Sequence, residues 1–163
     1  MKFKKFLESY NIFVDMDGTI TDFDKAFKDI TGQLPDKYEE EYGRSALWIP
    51  INLAGQPFWE NMKWLKDGKE LWKYVKKHNP TILSSPSNEK SSVTGKEKWL
   101  KKNLMGVKCI LDHNKHQYVK NGEKDILIDD TPKKIKLWRG AGGTGILHKS
   151  TQNTIKELKK LGV

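Results

Sequence analysis

The stretch at residues 12–24, IFVDMDGTITDFD, decides the fold. Three apolar residues, Ile12, Phe13 and Val14, stop abruptly at Asp15 and Asp17, and a Gly-Thr pair follows at once. A short continuous apolar run bounded by turn residues reads as a buried strand. Paired negative charge at its end needs a reason, because carboxylates this close are stable only with a cation between them or a shared proton.

Working outward, further apolar runs recur at residues 81–83, 109–111, 126–128 and 145–147. Between them lie helix-like stretches at 68–78, 96–103, 132–139 and 151–161, with Thr94 placed to cap the second and Pro132 in the first turn of the third. Continuous apolar strands alternating with helices predict an α/β fold: a Rossmann-like parallel sheet with helices on both faces. Residues 21–67 break the alternation, carrying eight aromatics from Phe23 to Trp64 and two Gly- and Pro-containing interruptions. They are expected to form a small helical cap over the carboxyl edge of the sheet, inserted after the first strand into a core made of 1–20 and 68–163.

The chain has 163 residues, 36% of them hydrophobic, which suits one compact domain. Its single cysteine, Cys109, excludes an intrachain disulfide and points to a reducing, cytoplasmic setting. No apolar run approaches a membrane span, and the first residues, MKFKKFLESYN, contain no signal-type apolar core. Thirty Lys and Arg against 21 Asp and Glu give a net charge of +9, which fits an anionic substrate, nucleic acid or simply a solvated face of lysines; no membrane partner is expected.

Ligands of open α/β sheets bind beyond the carboxyl ends of the strands, where Asp15 and Asp17 are expected. A second pair, Asp129 and Asp130, follows the run at 126–128. Four carboxylates from two strand ends make a hard oxygen site of the kind Mg²⁺ prefers. Gly18 allows a tight exit from the strand, and with Thr19 brings backbone amides near an anion. Ser84 and Ser85, at a third strand end, supply hydroxyls, and Lys96, expected at a helix start, supplies a positive charge. These parts together describe phosphoryl transfer.

DMDGTITD, ILSS, a downstream lysine and ILIDD, in that order on strand ends, resemble the motifs of the haloacid dehalogenase superfamily of phosphohydrolases. The resemblance implies Asp15 as the nucleophile that forms an aspartyl-phosphate, and Asp17 as the general acid and base. It implies Ser84 and Lys96 as phosphate ligands, with Lys120 and Lys124 as alternative lysines. Asp15, the backbone carbonyl of Asp17, and Asp129 would hold Mg²⁺, with Asp130 close behind. Within the superfamily, DMDGT, SSPS followed by GKEKWLKKNLMG, and LIDDTP look most like 5′(3′)-deoxyribonucleotidases, including short bacteriophage-encoded forms. A nucleoside monophosphate is therefore the expected substrate, with Phe23, Phe58, Trp59 and Trp64 as the rings that would stack on its base.

Two other readings stay open on the sequence. One is a phosphatase of nucleic-acid 3′-phosphate ends, which the positive charge favours. The other is a non-catalytic nucleic-acid-binding protein on the same fold. The glycine run GAGGTG, residues 140–145, reads as a helix stop rather than a dinucleotide fingerprint, since it follows a helix. His113 and His116 read as solvated residues of a polar turn.

Overall fold

A computed structural model describes residues 9–163, so most of the segment read above as lacking a leader lies outside the described residues. Among them no helix is long and apolar enough to cross a membrane. Strand β1 (Asn11–Val14) is followed by four short helices: α1 (Phe23–Thr31), α2 (Pro35–Tyr42), α3 (Trp48–Ala54) and α4 (Gln56–Glu60). The remainder alternates as expected: α5 (Gly68–Val75), β2 (Thr81–Ser84), α6 (Lys90–Asn103), β3 (Cys109–Leu111), β4 (Asp125–Asp129), α7 (Pro132–Gly140), β5 (Thr144–Leu147) and α8 (Thr151–Lys160). All strands are parallel, in the order β3-β2-β1-β4-β5.

That order puts β1 in the middle, with the chain running to one side of it through β2 and β3 and returning to the other through β4 and β5. The crevice where the direction reverses lies between β1 and β4. Their register pairs Val14 with Ile128, so the residues that follow, Asp15 and Asp129, come side by side.

Alternating side chains bury both faces of the sheet. Ile12, Val14, Ile82, Ile126 and Ile128 point into one core with Leu71, Val75, Trp99 and Leu158 from the helices. Leu83 and Leu127 point the other way, against Ile135 and Trp138 of α7. At roughly 25 cal/mol per Å² of apolar area removed from water, these strands are held from both sides.

Phe27, Ile51, Phe58 and Trp59, from the helices at 23–60, are buried in the same core as Ile12 and Val14. The seam is set by Gly95 of α6, where a Cβ would stand 2.5 Å from the Cβ of Trp59 and 2.8 Å from the Gln56 carbonyl oxygen. Only glycine lets α4 lie this close.

One boundary differs from the sequence reading. Helix α6 starts at Lys90, six residues before the expected Lys96, and Thr94 lies inside it rather than capping it. Ser91, Ser92, Thr94 and Gly95 are weak helix formers, and burial of Ser92, Gly95, Lys96 and Trp99 overrides that weakness. The glycine run does end a helix: α7 stops at Gly140, Gly142 adopts φ +94°, and β5 follows.

Candidate active site

Beyond β1 the chain turns sharply. The Met16 carbonyl accepts from the amides of Thr19, Ile20 and Thr21, and the Gly18 amide donates to Thr21. Gly18 takes φ +75°, and a Cβ there would lie 2.0 Å from a carboxylate oxygen of Asp130. A side chain at this position would evict Asp130 from the site.

Asp15 is buried, and one of its oxygens accepts a 2.7 Å bond from Lys115 Nζ. The same ammonium donates at 2.6 Å to Asp129, whose other oxygen accepts from the Thr131 amide at 2.8 Å. Lys115 is itself 3% exposed, so this is a desolvated, charge-assisted bridge between the two strand ends. Burial works against its charge, but Asp15 and Asp129 hold its pKa above the ordinary lysine value.

Lys115 belongs to a 3₁₀ turn, Lys115–Tyr118, just past β3. Asp112 organises that turn, accepting from the Asn114 amide at 2.7 Å, Gln117 Nε2 at 2.7 Å and the Tyr118 hydroxyl at 2.9 Å. The sequence reading passed over this lysine and attended to its neighbours His113 and His116. The signal was available, since every strand's carboxyl end faces the same crevice and Lys115 lies four residues past β3.

Lys96, the lysine expected at the phosphate, is held against Asp17 and Ser84. Buried in α6, its ammonium contacts an Asp17 oxygen, donates to Ser84 Oγ at 3.1 Å, and lies 4.9 Å from the centre of the Trp59 ring. The other Asp17 oxygen accepts from the Thr21 hydroxyl at 3.1 Å. Lys96 therefore fixes the orientation of Asp17.

A cavity of about 240 Å³ opens onto these groups, lined in part by Asp15, Asp17, Gly18, Ser85, Lys115 and Asp130. Of the residues expected around a phosphate, Gly18 and Ser85 line the cavity, while Ser84 and Lys96 are buried and bonded to each other. Lys120 and Lys124 do not line it either. Thr19 is fully buried, and its hydroxyl has no hydrogen-bond partner among the described residues. Of the aromatics, Phe23 and Trp59 line the cavity and Trp48, not singled out from sequence, joins them. Phe58 is buried edge-on against Phe23 and Trp59, and Trp64 packs on Trp99 and donates to Asn103.

Oxygens of Asp15, Asp129 and Asp130 all fall within 4.8 Å of one another, a set suited to a metal ion. The charges agree with that use. Two lysines offset two of the four carboxylates, and the remaining negative charge shows at Asp130, whose carboxyl is pushed up to about 7 by desolvation and then by Asp15, Asp129 and Asp17. Asp15 is likewise held above its ordinary value, by burial first and also by Asp129, against the opposing pull of Lys115. Acids that resist ionising together are what a divalent cation relieves. Asp17 contributes no carboxylate oxygen to this cluster, since Lys96 and Thr21 occupy both.

Solved structures share this architecture. A HAD-superfamily hydrolase from Ehrlichia chaffeensis matches with a TM-score of 0.59 at 13% identity, covering 94% of this chain and 97% of that one. A hydrolase from Streptococcus pneumoniae matches with 0.58 at 13% identity over 93% and 99%. The fold is that of the haloacid dehalogenase-like hydrolases. L-2-haloacid dehalogenase from Xanthobacter autotrophicus, solved with chloropropionic acid covalently bound, also shares it, with 0.55 at 9% identity over 93% and 82%. No family model matches the chain, and no curated protein matches it in sequence.

Proposed function

We propose that this protein is a haloacid dehalogenase-superfamily phosphomonoesterase that uses Mg²⁺ and an aspartyl-phosphate on Asp15, with a nucleoside monophosphate, preferably a deoxyribonucleotide, as substrate. The observation that carries the reading is Asp17, fixed by Lys96 and Thr21 on the wall of the cavity that Asp15 faces. Neighbours of this fold include a dehalogenase, whose leaving halide needs no proton. A phosphate ester expels an alkoxide, which does, and a positioned acid accelerates that step by about 10²–10⁴-fold.

An Asp15 oxygen attacks phosphorus as the P–O bond to the leaving group breaks, and Asp17 gives its proton to the departing oxygen. Asp17 then takes a proton from water as the water oxygen attacks the same phosphorus, releasing phosphate and restoring Asp15. Lys115 holds Asp15 in line and offsets charge on the phosphoryl oxygens. Asp15, Asp129 and Asp130 would hold the Mg²⁺, which when bound supplies Lewis-acid polarisation of those oxygens. Phe23 and Trp48, on the cavity wall, offer ring faces to a base.

The test measures phosphate release from deoxyribo- and ribonucleoside monophosphates, and halide release from 2-haloacids, side by side with Mg²⁺ or EDTA. Phosphate release that EDTA abolishes, with no halide release, supports the proposal. Halide release without phosphate release overturns it.

A further inference from the structure

The cavity over Asp15, at about 240 Å³, falls short of the roughly 300–1,000 Å³ that enclose a drug-sized ligand. A nucleoside ester must therefore extend past it. A second cavity of about 580 Å³ adjoins, and the two share Trp48, Ser85, Ser87, Thr131 and Lys134 as walls.

The cavities differ in charge. The inner one has Asp15, Asp17, Asp24 and Asp130 against Lys115 and Lys134. The outer one has Arg44 and Lys134 against Glu89 alone, with the amides of Asn52 and Asn88 beside them. Arg44, at the start of the 3₁₀ turn that leads into α3, has no ion-pair partner among the described residues. Lys134, which lines both cavities, donates to the His113 carbonyl at 2.5 Å, and its ammonium has two further donors. On the shared rim Trp48 is 42% exposed, a ring face with room for a base.

We infer that the substrate's leaving group carries an anion of its own, a second phosphate bound in the outer cavity by Arg44 and Lys134 while the scissile phosphate lies over Asp15. This rests on the phosphomonoesterase reading and moves its substrate from a nucleoside monophosphate to a phosphomonoester that carries a second phosphate. Only the phosphomonoester over Asp15 is cleaved, and the second phosphate serves for recognition. Nucleoside 3′,5′-bisphosphates and 3′-phosphorylated oligonucleotide ends share this chemistry.

The test has a binding arm and a turnover arm. In the Asp15→Asn protein with Mg²⁺, which lacks the nucleophile but keeps both cavities, calorimetry compares a deoxynucleoside 3′,5′-bisphosphate with its 5′- and 3′-monophosphates. Charge-assisted contacts predict about tenfold tighter binding of the bisphosphate, reduced to about threefold or less when Arg44→Gln is added. In the turnover arm, the ratio of kcat/KM for bisphosphate over monophosphate falls correspondingly in the Arg44→Gln protein. Equal binding of mono- and bisphosphate, or a ratio untouched by Arg44→Gln, overturns the inference while leaving the phosphatase reading intact. Absent turnover with the binding preference preserved defeats the phosphatase reading instead and keeps the second-anion site. A 3′-phosphorylated oligonucleotide bound more tightly than the bisphosphate, with log affinity falling by about 0.7 per contacted phosphate against log salt, identifies the source as a nucleic-acid end. Equal affinity identifies the free bisphosphate.

Discussion

Replacing Lys115 by methionine keeps the side chain's bulk and removes the charge that joins two strands. Lys115 is 3% exposed, and its ammonium lies 2.7 Å from Asp15 and 2.6 Å from Asp129, both buried. Removing one partner of a buried ion pair leaves uncompensated charge and costs about 3–5 kcal/mol. Here two carboxylates are left facing each other, so the upper part of that range applies to protein without a metal ion. Against a total stability of about 5–15 kcal/mol the loss is large. At about 2–4 °C per kcal/mol for a chain of this size, it lowers Tm by roughly 8–20 °C. A divalent cation bound by the same carboxylates relieves the repulsion, so added Mg²⁺ raises Tm more in Lys115→Met than in the wild type. Turnover falls by about a hundred- to a thousandfold, the usual cost of losing one group that stabilises transition-state charge. Thermal denaturation followed by circular dichroism, in EDTA and in Mg²⁺, measures the stability terms. A Tm in EDTA within about 2 °C of the wild type would refute the claim that this bridge holds the strand ends together.

Three further outcomes are expected. In metal-free protein Asp130 titrates near 7 instead of its ordinary 3.8, so between those values the folded state holds a proton that the unfolded chain has released. That contribution to stability is present at low pH and lost as pH rises through about 7; urea midpoints show the loss in the wild type but not in Asp130→Asn or with Mg²⁺ bound. At the other end of β4, the Asp125 carboxylate is pushed up by burial but held below its ordinary value by bonds from the Lys120 amide at 2.6 Å, the Asn121 amide at 2.7 Å and Asn11 Nδ2 at 2.7 Å. Asp125→Ala strands those donors and costs about 2–4 kcal/mol above pH 4, a difference that shrinks as pH falls through the folded pKa. Gly95→Ala forces α4 from α6, costing about 1–3 kcal/mol and displacing Trp59 from the cavity wall, whereas Gly140→Ala, with nothing within 4 Å, leaves the urea midpoint close to that of the wild type.

The sheet was legible because its strands are buried on both faces and so read as unbroken apolar runs, and because the charges that follow β1 and β4 have no business at the end of such a run without a ligand. Register then does what no local pattern reveals: pairing Val14 with Ile128 is what turns two separate DxD- and DD-type strand ends into one carboxylate cluster. Lys115 and Lys96 show where local reading stops. Position past β3 puts Lys115 at the crevice, but only the fold shows that it reaches back across 100 positions to Asp15, while Lys96, inside α6, contacts Asp17. The start of α6 was missed for a related reason. Its first turns have poor intrinsic helix propensity, and they are helical because Gly95 and Trp99 pack against α4 and the Met62 carbonyl. Which of the aromatic rings face the cavity and which face the core depends on helix rotation: Phe23, Trp48 and Trp59 reach the cavity wall, and Phe58 and Trp64 turn inward.

The central claim is that Asp15 attacks phosphorus and carries the phosphoryl group. Rapid acid quench of the Asp17→Asn protein with a phosphate-labelled deoxynucleoside monophosphate and Mg²⁺, followed by peptide mapping, tests it most directly. With no base to activate water, the account predicts label accumulating on the peptide that contains Asp15, and none when Asp15→Asn is added. Phosphate released in the first turnover with no label on the protein at any time would contradict it.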